Sequence, residues 1–261
     1  MTYTYFKLDV SDGIAVFTID RPEARNAMNA ACWAEVIQFF DEVEQMDDVR
    51  VVIFTGAGEK VFIAGGDLAV LHARGGVENL RPSGKIAQIA LQRIEESNKP
   101  VVCAINGFAF GGGLETALAC DIRIAAENAK FALPETSLGI IPSAGGTQRL
   151  SRIVGLGRAK ELILAGRTLT AEEAQAAGLV MKVVPHDTLL EEAKALARKI
   201  MARGPVANAV AKKVVNASLD VDRYTGQAME NLGTCFIYET RDKFEGTLSF
   251  LEKRKPNYIG K

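Results

Sequence analysis

The chain has 261 residues, 48% of them apolar and 24% charged, which is enough for one large globular domain or two small ones. Lys and Arg number 31 against 32 Asp and Glu, a net charge of −1, so no global positive field draws the chain to nucleic acid or to an anionic membrane. No apolar run approaches the ~18 residues of a membrane span, and the opening MTYTYFKLDV has the form of neither a signal peptide nor a transit peptide.

Cys32, Cys103, Cys120 and Cys235 show no C-x-x-C spacing and read as reduced thiols of a cytoplasmic protein. His72 and His186 stand far apart and form neither a metal-ligand pattern nor part of a hydrolytic triad, so no metal is expected.

In chain order, residues 3–9 and 14–19 read as strands joined by the turn Ser11-Asp12-Gly13. Trp33, Val36, Ile37, Phe40 and Val43 recur at helical spacing and predict an amphipathic helix over about 29–45. Val51–Thr55 and Val61–Ile63 read as short strands, the second running into Ala64-Gly65-Gly66-Asp67. Residues 68–98 read as mostly helical, with a loose segment from Gly75-Gly76 to Gly84. Ile122–Ala126 and Lys130–Leu133 are strand-like, and 136–146 is loop-like. Thr170 to Glu173 matches a capping box, and Gly178 suits the stop of that helix. After a strand at Val180–Val184 the pattern turns helical, over about 187–203, 206–218, 222–237 and 241–254. This rhythm predicts an α/β core with a helical appendage, divided at about 200/201.

The chemistry concentrates in VVCAINGFAFGGGLETALACD, residues 101–121. The run Val101–Ile105 reads as a buried strand, Asn106-Gly107 punctuates it, and Gly111-Gly112-Gly113 opens a helix. Such a start leaves amide N–H groups unpaired at the positive end of a helix dipole, where an anion or a developing oxyanion is stabilised. The plainer alternative is that the glycines only bring helix and strand together and that Glu115 is an exposed first-turn acid. Neither G-x-G-x-x-G nor G-K-[ST] is present, which sets nucleotide motifs aside.

Taken with Ile63-Ala64-Gly65-Gly66-Asp67, Pro134-Glu135 and Gly145-Gly146-Thr147-Gln148-Arg149-Leu150, this stretch resembles the enoyl-CoA hydratase (crotonase) family. Arg21-Pro22, Asn26-Ala27-Met28 and Phe250–Arg254 extend the resemblance over nearly the whole chain. It implies a spiral of repeated ββα units over 1–200, a helical region over 201–261, and trimers that often pair into hexamers. It implies Glu115 and Glu135 as the catalytic carboxylates, Glu115 for water and Glu135 for the α-carbon, and the amides of Ala64 and Gly112 as the oxyanion hole. Ala27, Ala64, Gly65, Gly66, Asp67, Leu68, Gly111 and Gly112 would contact the substrate, and Phe250 and Lys253 would contact CoA, often from a neighbouring subunit. The CoA thioester is the substrate, and no cofactor is implied. Asp67 reads better as a cap than as a catalyst, His72 as a surface residue, and Trp33 as core. Gly66 replaces the alanine usual in A-G-A-D, and Ser143 stands where glycine is common.

The implied reaction is hydration of a short-chain trans-2-enoyl-CoA. Its rivals within the family are hydration of methylglutaconyl-CoA or a cyclic enoyl-CoA, and double-bond isomerisation. RNA binding, known for one relative through lysines on its first helix, is not expected: residues 29–48 carry no Lys or Arg and the six acids Glu35, Asp41, Glu42, Glu44, Asp47 and Asp48. A non-catalytic acyl-CoA binder would not need both carboxylates.

Overall fold

The computed structural model describes residues 2–73, 75–77 and 81–261. A hairpin opens it, β1 (Phe6–Ser11) and β2 (Ile14–Ile19). Asp12 (φ 51°) and Gly13 (φ 78°) turn it, both left-handed, as a two-residue loop between twisted strands requires. Helix α1 (Ala30–Val43) follows, with Asn29 Oδ1 accepting from the Cys32 N–H as its cap. The chain continues through β3 (Val51–Gly56), β4 (Val61–Ile63), α2 (Leu68–Ala73) and α3 (Ile86–Glu96). Next come β5 (Val101–Ile105), β6 (Phe108–Phe110), α4 (Gly112–Ala119), β7 (Ile122–Ala126) and β8 (Lys130–Ala132). Helices α5 (Gly146–Val154) and α6 (Leu156–Leu164), strand β9 (Leu169–Thr170), helix α7 (Ala171–Ala176) and strand β10 (Lys182–Val184) complete the repeating part. Four helices close the chain: α8 (Leu189–Met201), α9 (Pro205–Ala217), α10 (Arg223–Tyr238) and α11 (Arg241–Leu251). Among the described residues, no helix is long and apolar enough to cross a membrane.

The strands divide between two sheets, β1-β2-β3-β5-β7-β10 and β4-β6-β8-β9. Each repeat lays its first strand (β3, β5, β7) in the larger sheet and its second (β4, β6, β8) in the smaller, and then turns into helix. Stacked repeats make the spiral. All pairings are parallel except β1 with β2 and β8 with β9. The inner strands of the larger sheet, β2, β3 and β5, are covered on both faces, which is why they read as continuous apolar runs. One face packs an aromatic cluster in which Phe17 stacks on Phe6 (4.3 Å) and on Phe39 of α1 (4.0 Å). The other face packs Ile14, Val51, Val102 and Ile124 against Leu189, Ala193 and Ala197 of α8.

The expected long helical stretch 68–98 divides into α2 and α3, and part of its loose segment lies outside the described residues. The structure adds β6 and β9, which the sequence reading omitted. The capping box is present with both halves: Thr170 Oγ1 accepts from the Glu173 N–H, and Glu173 accepts from the Thr170 N–H. Helices α9 and α10 bury no residue fully. The Lys212 side chain of α9, 7% exposed, ties this part to the core through Asp121 (2.9 Å), whose carboxylate also accepts from the Val101 N–H (2.7 Å).

Candidate active site

Parallel register decides where the site falls. Ile63 of β4 stands beside Ala109 of β6, and Phe110 of β6 beside Ala132 of β8. The carboxyl ends of three strands therefore lie together, and the segments that leave them, 64–67, 111–115 and 133–135, converge.

After β4 the backbone meets the loop before α1. Arg25 (φ 53°) and Asn26 (φ 56°) are both left-handed, an arrangement costly outside glycine. The buried Asn26 side chain offsets the strain by accepting from the Arg21 N–H and donating to the Ala57 and Val61 carbonyls. Met28 then bridges Gly66: the Met28 N–H donates to the Gly65 carbonyl (2.8 Å), and the Asp67 N–H donates to the Met28 carbonyl (3.0 Å). Ala64, the residue expected to offer an oxyanion amide, donates its N–H to the Arg25 carbonyl (3.2 Å). Gly66 N–H has no carbonyl partner among the described residues. The amide available at this point is thus that of Gly66, two residues beyond Ala64, because the Ala64 N–H is taken by the Arg25 carbonyl and the Asp67 N–H by the Met28 carbonyl, while the Gly66 nitrogen lies beside Gly112.

After β6, Gly111 adopts φ 52°, open to glycine, and donates its N–H to the Ala132 carbonyl. Gly113 permits close approach: a Cβ there would lie 2.2 Å from the Ile63 carbonyl oxygen. Gly112 is the first residue of α4, so its N–H has no intrahelical acceptor. A Cβ at Gly112 would stand 3.7 Å from the Gly66 nitrogen and 3.6 Å from the Trp33 ring. Two amides without acceptors therefore lie next to each other at the positive end of a helix.

Glu115 lies one turn into α4, 3% exposed. Its Oε1 accepts from the Ala144 N–H (2.7 Å) and the Gly146 N–H (2.8 Å), at the start of α5. Burial pushes the Glu115 carboxyl up from its ordinary range, opposed by those two amides and by the Arg149 cation. Glu135 opens the 3-10 turn Glu135–Leu138 after β8. Its Oε1 lies 3.1 Å from the position a Gly111 Cβ would take, and its Oε2 is buried without a hydrogen-bond partner among the described residues. Burial, followed by the neighbouring Glu115 charge, raises the Glu135 carboxyl to about 7. One carboxylate is thus provided with donors suited to its anion, and the other is left to favour its acid form.

These groups border a cavity of about 290 Å³ whose walls include Met28, Trp33, Leu71, Ile86, Leu138 and Ile141. Ala64, Gly65, Gly66, Asp67, Leu68, Gly111, Gly112, Glu115 and Glu135 all line it. Ala27 does not; its neighbours Met28, Asn29 and Ala30 do. Phe250 is 82% exposed and Lys253 lies beyond the end of α11, and neither reaches the cavity within this chain. Asp67 caps α2 by accepting from the Ala69 N–H (3.2 Å), and His72 lies exposed on that helix. Trp33 is buried, as expected, and is also a wall of the cavity. Ser143 lines the cavity, but the amides that hold Glu115 are those of Ala144 and Gly146. Reading the sequence missed both, although Gly145-Gly146 before a helix was a visible sign of free N–H groups.

A family model described as enoyl-CoA hydratase/isomerase matches residues 9–261. The chain is 44% identical over 250 residues to a short-chain-enoyl-CoA hydratase of Clostridium acetobutylicum, covering 95% of each. It is 42% identical over 263 residues to a crotonyl-CoA hydratase of Syntrophomonas wolfei, covering both in full. Its fold superposes on the crystal structure of an enoyl-CoA hydratase from Bacillus anthracis with a TM-score of 0.94, at 41% identity, covering 99% of this chain and 100% of that one. The ββα spiral, the convergence of three strand ends and these likenesses agree: the chain belongs to the enoyl-CoA hydratase/isomerase family.

Proposed function

We propose that this protein is a hydro-lyase that adds water across the double bond of a short-chain trans-2-enoyl-CoA, giving the 3-hydroxyacyl-CoA. The observation that carries the reading is the pair Glu115 and Glu135, one with two N–H donors on its anion and one raised to about 7. The thioester oxygen sits against the Gly66 and Gly112 amides, which stabilise the enolate charge that grows as the β-carbon is attacked. One such donor is typically worth about 10²–10³ in rate. Glu115 takes the proton from water as its oxygen bonds to the β-carbon. Glu135 delivers its proton to the α-carbon as the enolate collapses. Net transfer of a proton from Glu115 back to Glu135 through solvent resets the pair. The electron sink is the thioester itself, so the reading calls for no cofactor.

The described side chains that line the cavity are apolar apart from Asn29, Asp67, Glu115, Glu135 and Ser143, and none is cationic. That favours an uncharged acyl chain over a dicarboxylic one, whose free carboxylate would lack a partner. Assembly into trimers or hexamers is part of the proposal. A second copy would cover the apolar face of α10 and α11 and bring Phe250 and Lys253 to a neighbour's CoA. Unpaired thiols, three of them buried, suit a cytoplasmic setting. The test is a panel of CoA thioesters followed by loss of the conjugated-thioester absorbance. Crotonyl-CoA should be hydrated fastest. Turnover confined to methylglutaconyl-CoA, or movement of the double bond without uptake of water, would refute the reading.

A further inference from the structure

Glu115 is held by two amides of a loop, and the loop is itself held. While Ala144 and Gly146 donate to Glu115, the Ala144 carbonyl accepts from Arg149 Nη1 at 3.0 Å. The other edge of the Arg149 guanidinium faces α3, where Nε (3.2 Å) and Nη2 (2.7 Å) both donate to Glu95 Oε2. A second tie from α3, Gln88 Nε2 to the Ser143 carbonyl at 2.7 Å, holds the loop one residue earlier. Gly145 has φ 103°, and a Cβ there would lie 2.2 Å from Arg149 Nη1. The guanidinium therefore lies directly on the main chain between the two amides that serve Glu115. The pair is partly withdrawn from water, with side chains 17% and 38% exposed, so it is screened somewhat less than a fully exposed ion pair.

We propose that Arg149, braced by Glu95, is a positioning residue for the hydration: it fixes the Ala144 and Gly146 amides on Glu115 and so sets the pH range in which Glu115 serves as the base. The proposal rests on the reading of Glu115 as the carboxylate that activates water. Two groups face Glu115 with charge, Glu135 from the turn after β8 and Arg149 from α5. Of the other elements packed on α4, β4 and β6 carry no titratable side chain, and α3 directs Glu95 to Arg149, Arg93 to Asp41 and Glu96 to Gln92. Removing the guanidinium withdraws the one cation acting on Glu115 among these and releases the Ala144 carbonyl, which lets the two N–H groups drift. Both changes favour the protonated carboxyl. Lysine at 149 would keep the charge but not the planar fork that spans the Ala144 carbonyl and Glu95.

The test measures kcat and KM against pH with crotonyl-CoA for wild type, Arg149→Met, Arg149→Lys and Glu95→Gln. An infrared titration of the Glu115 carboxylate accompanies it, read as the difference from Glu115→Gln in each background. In Arg149→Met the acid-side limb of kcat should move up by about one pH unit, with the infrared titration moving alongside. Turnover at the optimum should fall about 10²-fold, as for a small misplacement of a reacting group, while KM changes by no more than about twofold. Arg149→Lys should fall between this and wild type. A rate loss with an unmoved limb and an unmoved infrared titration would overturn the proposal, leaving Arg149 a brace of the fold alone. If Arg149→Met does not fold, Arg149→Lys and Glu95→Gln decide it, and wild-type limbs in both would overturn it. The hydratase reading fails by a different result, a wild-type protein that does not hydrate crotonyl-CoA, and the infrared titration still reads the hold of Arg149 on Glu115 in that case.

Discussion

Glu115 and Glu135 lie 20 residues apart in sequence and line one cavity, yet their surroundings set them to opposite tasks. If they act on one water as a unit, Glu115→Gln and Glu135→Gln should each lower crotonyl-CoA hydration by several orders of magnitude. The double variant should lose far less than the product of the two losses. Near wild-type hydration by either single variant would end the two-carboxylate mechanism. The pH dependence follows from Glu135. Its acid form is the proton donor, so kcat/KM should fall as pH rises through about 7. A limb that persists unchanged in the residual activity of Glu135→Gln would assign it elsewhere. Stability has the same sign. The folded carboxyl is raised above its ordinary 4.5, so the folded state holds a proton that the unfolded chain has already released. Stability therefore declines as pH climbs from about 4.5 to about 7. Glu135→Gln should raise Tm at pH 8 by about 2 °C and leave it unchanged near pH 4, since partial exposure of the group limits the effect. At Gly112 an added Cβ makes only ordinary contacts, but the branches of a valine would stand between the two amides. Gly112→Val should keep the fold by circular dichroism and lose turnover, and retained turnover would place the oxyanion elsewhere.

At the scale of elements, the site depends on how closely α4 can approach β4. Only a glycine at 113 allows that approach, because a side chain would strike the Ile63 carbonyl. Gly112 and Gly113 therefore do different work although they are adjacent: the first leaves room for a substrate, the second for a strand. Helix α9 presents a second case. The Lys212 side chain is nearly withdrawn from water and gives its ammonium to Asp121 and to the Ile94 and Lys99 carbonyls. Lys212→Met leaves the partly buried Asp121 carboxylate without the ammonium that pairs with it, though still near Arg123, a loss towards the low end of the about 3–5 kcal/mol for a buried pair broken on one side. Urea denaturation should report it as a lowered midpoint, and an unchanged midpoint would mean that α9 does not need this tie.

At the scale of the whole molecule, the last three helices expose more apolar surface than a lone protomer would be expected to leave in water. Leu232, Phe236, Phe244, Leu248, Phe250 and Leu251 are each between 48% and 82% exposed. Leu232 and Phe236 lie one turn apart on α10 and so share a face. Sedimentation should find a trimer or hexamer, and the pair Leu232→Asp with Phe236→Asp should drive it towards smaller species and raise KM for the CoA thioester. A compact, fully active monomer in the wild type would rule out a site shared between copies.

Local patterning alone determined much of this protein. Apolar runs and their period marked β2, β3, β5, β7 and α1 almost to the residue, and Asp12-Gly13 and Thr170–Glu173 announced a turn and a cap through local chemistry. The two glutamates were singled out by the resemblance of their motifs to the enoyl-CoA hydratase family, not by local patterning. What local sequence could not decide was whatever depends on a distant partner. Strands of three and two residues, β6 and β9, exist because β4 and β8 are there to pair with them. Which amide after β4 is left without an acceptor depends on Met28 bridging Gly66 and on Arg25 occupying Ala64. The charge that Glu115 bears depends on amides 29 and 31 residues further on. Hydrophobic period is a property of consecutive residues, whereas the state of a hydrogen-bonding group depends on what the fold places opposite it.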